Sequence, residues 1–129
     1  MSKSMFLLGG LMLVAGSAQA VQVTEVMGVL QCTVYAQEAN IKGDILQKGL
    51  NKSLALYKQT YASSNLGVPT GDDLATGFAE FYQSMGISYA YSNIETALLN
   101  KGLSLGGPQW ATEARNLFNQ GNCELVLGK

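Results

Sequence analysis

The chain has 129 residues, 8 Lys and Arg against 9 Asp and Glu, a net charge of −1 and no histidine. That balance excludes the clustered basic footprint of a nucleic-acid binder. The missing imidazole excludes a Ser-His-Asp triad, a Cys-His pair or a histidine metal site built from this chain alone.

In chain order, Lys3, the apolar run Phe6–Ala15 and the small-x-small Ala18-Gln19-Ala20 form the pattern of a secretory leader. Residues 1–20 are expected to be removed after Ala20, leaving 21–129 as a single helical domain with a modest core. The apolar run is shorter than the ~20 residues a membrane span needs. No stable membrane insertion is therefore expected after cleavage, and the location is expected to be the periplasm or outside the cell.

Two cysteines, Cys32 and Cys123, follow the leader. In an exported chain they read as one structural disulfide, because the compartment is oxidising and neither has a CxxC partner. The closed loop of about 91 residues gives a loop-entropy stabilisation of roughly 4–5 kcal/mol.

The first helix is predicted from Gln22–Thr24 to about Glu38. Val23, Val26, Met27, Leu30 and Val34 recur at helical spacing, and Val29, Cys32 and Ala36 add a second strip. Two adjacent strips mark a helix contacted on more than one side. The β-branched content of Val21–Val34 leaves a strand as the alternative. Gly28 is read as a place where a neighbour can approach closely.

Asn40–Asp44 reads as a turn, with Asp44 as a cap for a helix from Ile45 to about Ser63. Leu46, Leu50, Leu54, Tyr57 and Tyr61 form its apolar stripe, and Lys48 and Lys52 its solvated face. Ser63–Gly71 is the clearest punctuation, with small polar residues, two glycines and Pro69. Thr70 resembles a cap, and Asp72 and Asp73 fall in the next first turn, where the helix dipole favours acids.

A long helical region is predicted from Asp72 to about Lys101. Leu74, Phe78, Phe81, Tyr82, Met85, Tyr89 and Ser92 trace one side, and Ile94, Ala97 and Leu98 continue the pattern. Thirty residues is long for this domain, so Gly86 is the natural bend or break. Tyr91 lies off the stripe and is the better candidate for an exposed contact. Asn100-Lys101-Gly102 reads as a helix end with a left-handed glycine. Pro108 opens a last helix to about Gln120, with Trp110, Ala114, Leu117 and Phe118 inward. Leu125-Val126-Leu127 is an apolar tail that Cys123 holds beside the first helix. The expected architecture is all-α, a small four- or five-helix bundle.

Chemistry is sparse. Asp72, Asp73, Glu80, Glu95 and Glu113 are not paired across a cleft by any sequence feature, and no phosphate-binding glycine loop occurs. A non-catalytic protein with no cofactor and no metal is expected. Its partner is expected to be another protein outside the cytoplasm, with a homo-oligomer left open. The candidate partner-binding positions are Asn65, Leu66, Asp72, Asp73, Tyr91, Leu103 and Leu105. Two alternatives stand beside this reading: a helical carrier of a small apolar ligand, which needs a large internal cavity, and a structural or chaperone-like accessory protein of the envelope.

With LQC at Leu30–Cys32 and NCELVL at Asn122–Leu127, the layout resembles that of periplasmic immunity proteins against type VI secretion amidase effectors. Those are also small, exported and helical, with one cysteine in the first mature helix and another near the C-terminus. The resemblance covers most of the chain in layout but only these residues in motif. It implies a chain that binds a peptidoglycan amidase and blocks its cleft with a loop. It assigns no inhibitory residue.

Overall fold

The computed structural model describes residues 23–65 and 67–128, and their regular structure is entirely helical. The expected leader, residues 1–20, and Leu66 lie outside the described residues. The elements are α1 (Val23–Glu38), α2 (Ile45–Ser63), α3 (Gly71–Phe81), a π-helical turn (Tyr82–Ile87), α4 (Ser88–Asn100), α5 (Pro108–Gln120) and α6 (Cys123–Gly128). With α3, the π turn and α4 counted as one rod, the described residues hold five helices.

Helix α1 is the centre. It touches α2, α4, α5, α6 and the π turn. Val29, Leu30, Cys32, Thr33, Val34, Tyr35 and Ala36 are all buried, which covers every side of the helix. A helix that is apolar all round has to be enclosed, and that settles the helix-or-strand alternative here. The helix ends on Asn40 at φ 55°, with Ile41 N–H donating to the Ala36 carbonyl at 3.0 Å. This is a left-handed C-cap with asparagine in the usual glycine role. Arg115 donates to the next carbonyl, Ala39, at 3.3 Å, placing positive charge at the negative end of the α1 dipole.

The expectation for Gly28 is corrected. It is exposed, and a Cβ there would meet nothing. The close approaches lie at Gly49 and Gly86. A Cβ on Gly49 would run into the Thr33 hydroxyl and methyl, so α1 and α2 cross at glycine. The polar groups at this crossing are satisfied within their own helices. Thr33 Oγ1 donates to Val29 O and Ser53 Oγ to Gly49 O, each at 2.7 Å. That local bonding lets two hydroxyls be fully buried without an unpaired group.

The inward face of α2 therefore runs through Gly49, Ser53 and Tyr57, while Leu46, Leu50 and Leu54 are only half-buried. The apolar stripe alone misplaced the face by overlooking small residues. Two further expectations are corrected. Asp44 occupies the N-cap position but makes no side-chain cap bond; it pairs with Lys48 at 3.5 Å. Lys52 is not simply solvated, since its ammonium donates to the Val126 carbonyl of α6 at 2.6 Å.

Helices α3 and α4 form one continuous path. Phe81, Ile87 and Ser88 all keep right-handed helical dihedrals, so Gly86 marks no break. The π turn inserts one extra residue into the helical count. The inward stripe runs through Leu74, Phe78 and Phe81, then continues through Gly86, Ala90, Ile94 and Leu98. An uninterrupted α-helix would have turned Tyr89 and Ser92 inward, as the spacing predicts. Both are exposed instead, Tyr89 by 48%. Gly86 faces α1, where a Cβ would lie 3.3 Å from Leu30 Cβ.

The disulfide joins Cys32 and Cys123 with Cα atoms 5.3 Å apart, across 91 residues of sequence. Both cysteines are buried. The apolar tail is itself a helix, α6, with Leu127 buried against the core and Leu125 exposed.

Candidate functional site

The chain's most built surface feature is the α4–α5 turn. Helix α4 ends with Gly102 at φ 71°, Leu103 N–H donating to Leu98 O at 2.9 Å and Gly102 N–H to Leu99 O at 3.0 Å. These are the two bonds of a Schellman cap. On the other side, Gln109 reaches back from α5 and donates to both the carbonyl and the hydroxyl of Ser104, at 3.1 and 2.6 Å. Lys101 grips Glu113 through both carboxylate oxygens at 2.7 and 2.8 Å. The turn is thus fixed at both ends, while Leu99, Leu103 and Leu105 stand 63%, 43% and 42% exposed.

The Lys101–Glu113 pair is structural support for that turn. Glu113 is buried, and Asn116 donates to it at 3.0 Å as well. The hydrogen bond from Lys101 holds the carboxyl below its ordinary value of 4.5, against the upward push of burial. Replacing Lys101 by Met leaves a buried carboxylate with one donor fewer, at an expected cost of about 1–3 kcal/mol. Because the folded pKa is depressed, this stabilisation is full above pH 4.5 and is lost as pH falls through the folded pKa. Urea denaturation from pH 7 to 3 checks this: the wild type is expected to lose its advantage over Lys101→Met on acidification.

Tyr91 sits at a second feature. Its ring meets Trp110 edge-to-face, with centroids 5.2 Å apart and planes at 81°. Trp110 Nε1 donates to Glu38 Oε1 at 2.9 Å. Burial first, then the nearby Glu38 carboxylate, raises the Tyr91 phenol's pKa. The neighbouring Tyr82 hydroxyl is buried without a hydrogen-bond partner. Burial first, then the charges of Glu38 and Tyr91, push it up to about 12. Glu38 closes α1, Tyr82 opens the π turn, Tyr91 lies on α4 and Trp110 on the first turn of α5, so four elements converge here.

The remaining candidates lie on the α2–α3 connection. Asn65 is exposed at φ 61°, Leu66 lies outside the described residues, and Asp72 and Asp73 are exposed in the first turn of α3. Thr70 occupies the N-cap with extended backbone but makes no side-chain cap bond. Leu103 and Leu105 thus share one turn and Tyr91 a neighbouring helix, while Asn65, Asp72 and Asp73 belong to a separate connection. Sequence reasoning missed Glu38 and Leu99 and placed Trp110 only as core. The readable signal was Glu38, a carboxylate at the C-terminal end of a helix, where the dipole disfavours negative charge.

Two open grooves flank the disulfide. One of about 380 Å³ is lined by residues including Gly28, Tyr35, Leu117 and Val126. The other, about 280 Å³, lies beside Phe118, Asn122 and Leu125. Among the described residues no three acidic or thiol groups converge as metal ligands, and no helix is long and apolar enough to cross a membrane. Compared with protein-family models, curated proteins and solved structures, the chain matches none.

Proposed function

We propose that this chain is an exported, non-catalytic protein-binding module of the inhibitor or immunity type, and that it engages its partner with the α4–α5 turn. The observation that carries this reading is the pair Leu103 and Leu105, exposed on a turn fixed by the Schellman cap, Gln109 and Lys101. Apolar side chains on a pre-set backbone lose little conformational freedom on docking, so more of their burial appears as affinity. Such a tip blocks a cleft by shape and needs no titrating group of its own.

The leader pattern in residues 1–20 and the Cys32–Cys123 disulfide fit an oxidising compartment such as the periplasm. The layout resemblance to immunity proteins supplies the partner class, a cell-wall-degrading amidase. The test is affinity capture from a periplasmic extract with wild type and the Leu103→Asp/Leu105→Asp variant. One stoichiometric protein partner is expected on the wild type and at least tenfold less on the variant. Both side chains are exposed, so the variant's stability is expected within about 0.5 kcal/mol of wild type. A partner held equally by both proteins overturns the assignment of the turn. A co-purifying small molecule in place of a protein moves the reading to the carrier.

A further inference from the structure

Glu38, Tyr91 and Trp110 come from three helices, α1, α4 and α5, and meet in one corner. We propose that it is a binding site for an alkylammonium group, with the Tyr91 and Trp110 rings as two walls and the Glu38 carboxylate as counter-charge.

Three observations carry this. First, the rings stand nearly perpendicular, at 81° and 5.2 Å, and Tyr91 is 36% exposed, so the corner is reachable from solvent. A cation held against aromatic faces is attracted by their quadrupoles, and a two-walled corner lets one cation meet more than one ring. Second, Glu38 carries a charge with no ion-pair partner among the described residues. The ion pairs there are Lys48 with Asp44 and Lys101 with Glu113. Arg115, on the same helix as Trp110, donates to the Ala39 carbonyl instead. Glu38 is held by a neutral aromatic donor, the Trp110 indole, at 2.9 Å. Third, the inner side of the corner is dry, since the adjacent Tyr82 hydroxyl is buried. A carboxylate charge in such a setting is screened less than one in open water.

The indole donor also selects the cation. A guanidinium binds a carboxylate best through two parallel bonds to both oxygens. Here Oε1 already accepts from Trp110 Nε1. With one oxygen already engaged, a compact ammonium fits better than an arginine fork that needs both.

Trp110 is the only tryptophan of the chain, so its fluorescence, excited at the red edge, reports directly on this corner. The full disulfide-bonded protein is titrated with n-butylammonium, N-acetyl-lysine methylamide, N-acetyl-arginine methylamide and, as neutral control, n-butanol, at constant ionic strength. Saturable change is expected with both ammonium probes, and at least threefold weaker response with the arginine amide. Equal affinity for the two ammonium probes assigns the site to free amines; tighter binding of the lysine amide assigns it to a lysine of a polypeptide. Glu38→Gln and Tyr91→Ala are expected to weaken binding at least fivefold. Tyr91→Phe, which keeps the ring, is expected to retain it, and this variant separates loss of a wall from loss of folding. A response no larger than that to n-butanol, or unchanged affinity in Glu38→Gln, overturns the proposal. Neither result bears on the leucine turn, whose variants keep all three corner residues.

Discussion

The Cys32→Ala/Cys123→Ala protein is expected to be less stable than the oxidised wild type by about 4–5 kcal/mol, the loop-entropy value for a crosslink spanning 91 residues. For a domain of this size that corresponds to a fall in Tm of roughly 15–25 °C. The comparison that isolates the crosslink is made with and without reductant. Reduced wild type is expected to fall to within about 1 kcal/mol of the variant, because each thiol is worth little more than the alanine that replaces it in packing. Equal losses by the variant under both conditions would falsify the crosslink account and assign the effect to packing at Cys32. The geometry makes a large effect reasonable. The bond ties the central helix to the last one, and both sulfurs lie among buried neighbours rather than on a mobile surface.

Gly49→Val gives the second large effect, an expected loss of about 2–3 kcal/mol by overpacking. The direction opposes intrinsic preference, since replacing a mid-helix glycine normally improves helix propensity. The cause is the Thr33 side chain, which occupies the space a Cβ would take. A double-mutant cycle with Thr33→Ala checks the assignment. Thr33→Ala removes the hydroxyl and methyl nearest to that space, so the cost of Gly49→Val is expected to drop by at least 1 kcal/mol in that background. Additive behaviour would instead place the strain elsewhere.

The end of α1 and the boundaries of α2 were legible because apolar periodicity, Asn40 and the Ser63–Gly71 punctuation all point to the same places. The disulfide was legible because two cysteines and an export signature leave few alternatives. What periodicity could not show was the phase of the long rod. Its stripe reads well up to Met85 and again from Ala90, but the two halves are out of step by one residue. Only the π turn reconciles them, and tertiary packing against Leu30 and Val34 imposes it. The α1–α2 crossing was hidden for a related reason. Its key residues, Gly49, Ser53 and Thr33, look polar or neutral in sequence, yet smallness and local hydroxyl bonding are what qualify them for the interior.

The candidate site divides in the same way. Leu103 and Leu105 were legible because leucines between a glycine cap and a helix-opening proline have little core to enter. Tyr91 was singled out as lying off the stripe. Its companions were not, because the corner is assembled from Glu38 and Trp110, 72 residues apart in sequence. No local pattern encodes a neighbour at that distance.

The central position of α1 sets the order in which this molecule can be completed. Its main partners besides α2 and the π turn are α5 and α6, the last described helices. A ribosome delivers α1 long before it delivers them. Until residues 108–128 emerge, the apolar surface of α1 facing those helices has nothing to rest on, and the hairpin it forms with α2 is an incomplete core. The late arrival of its closing helices leaves the core around α1 incomplete through most of synthesis.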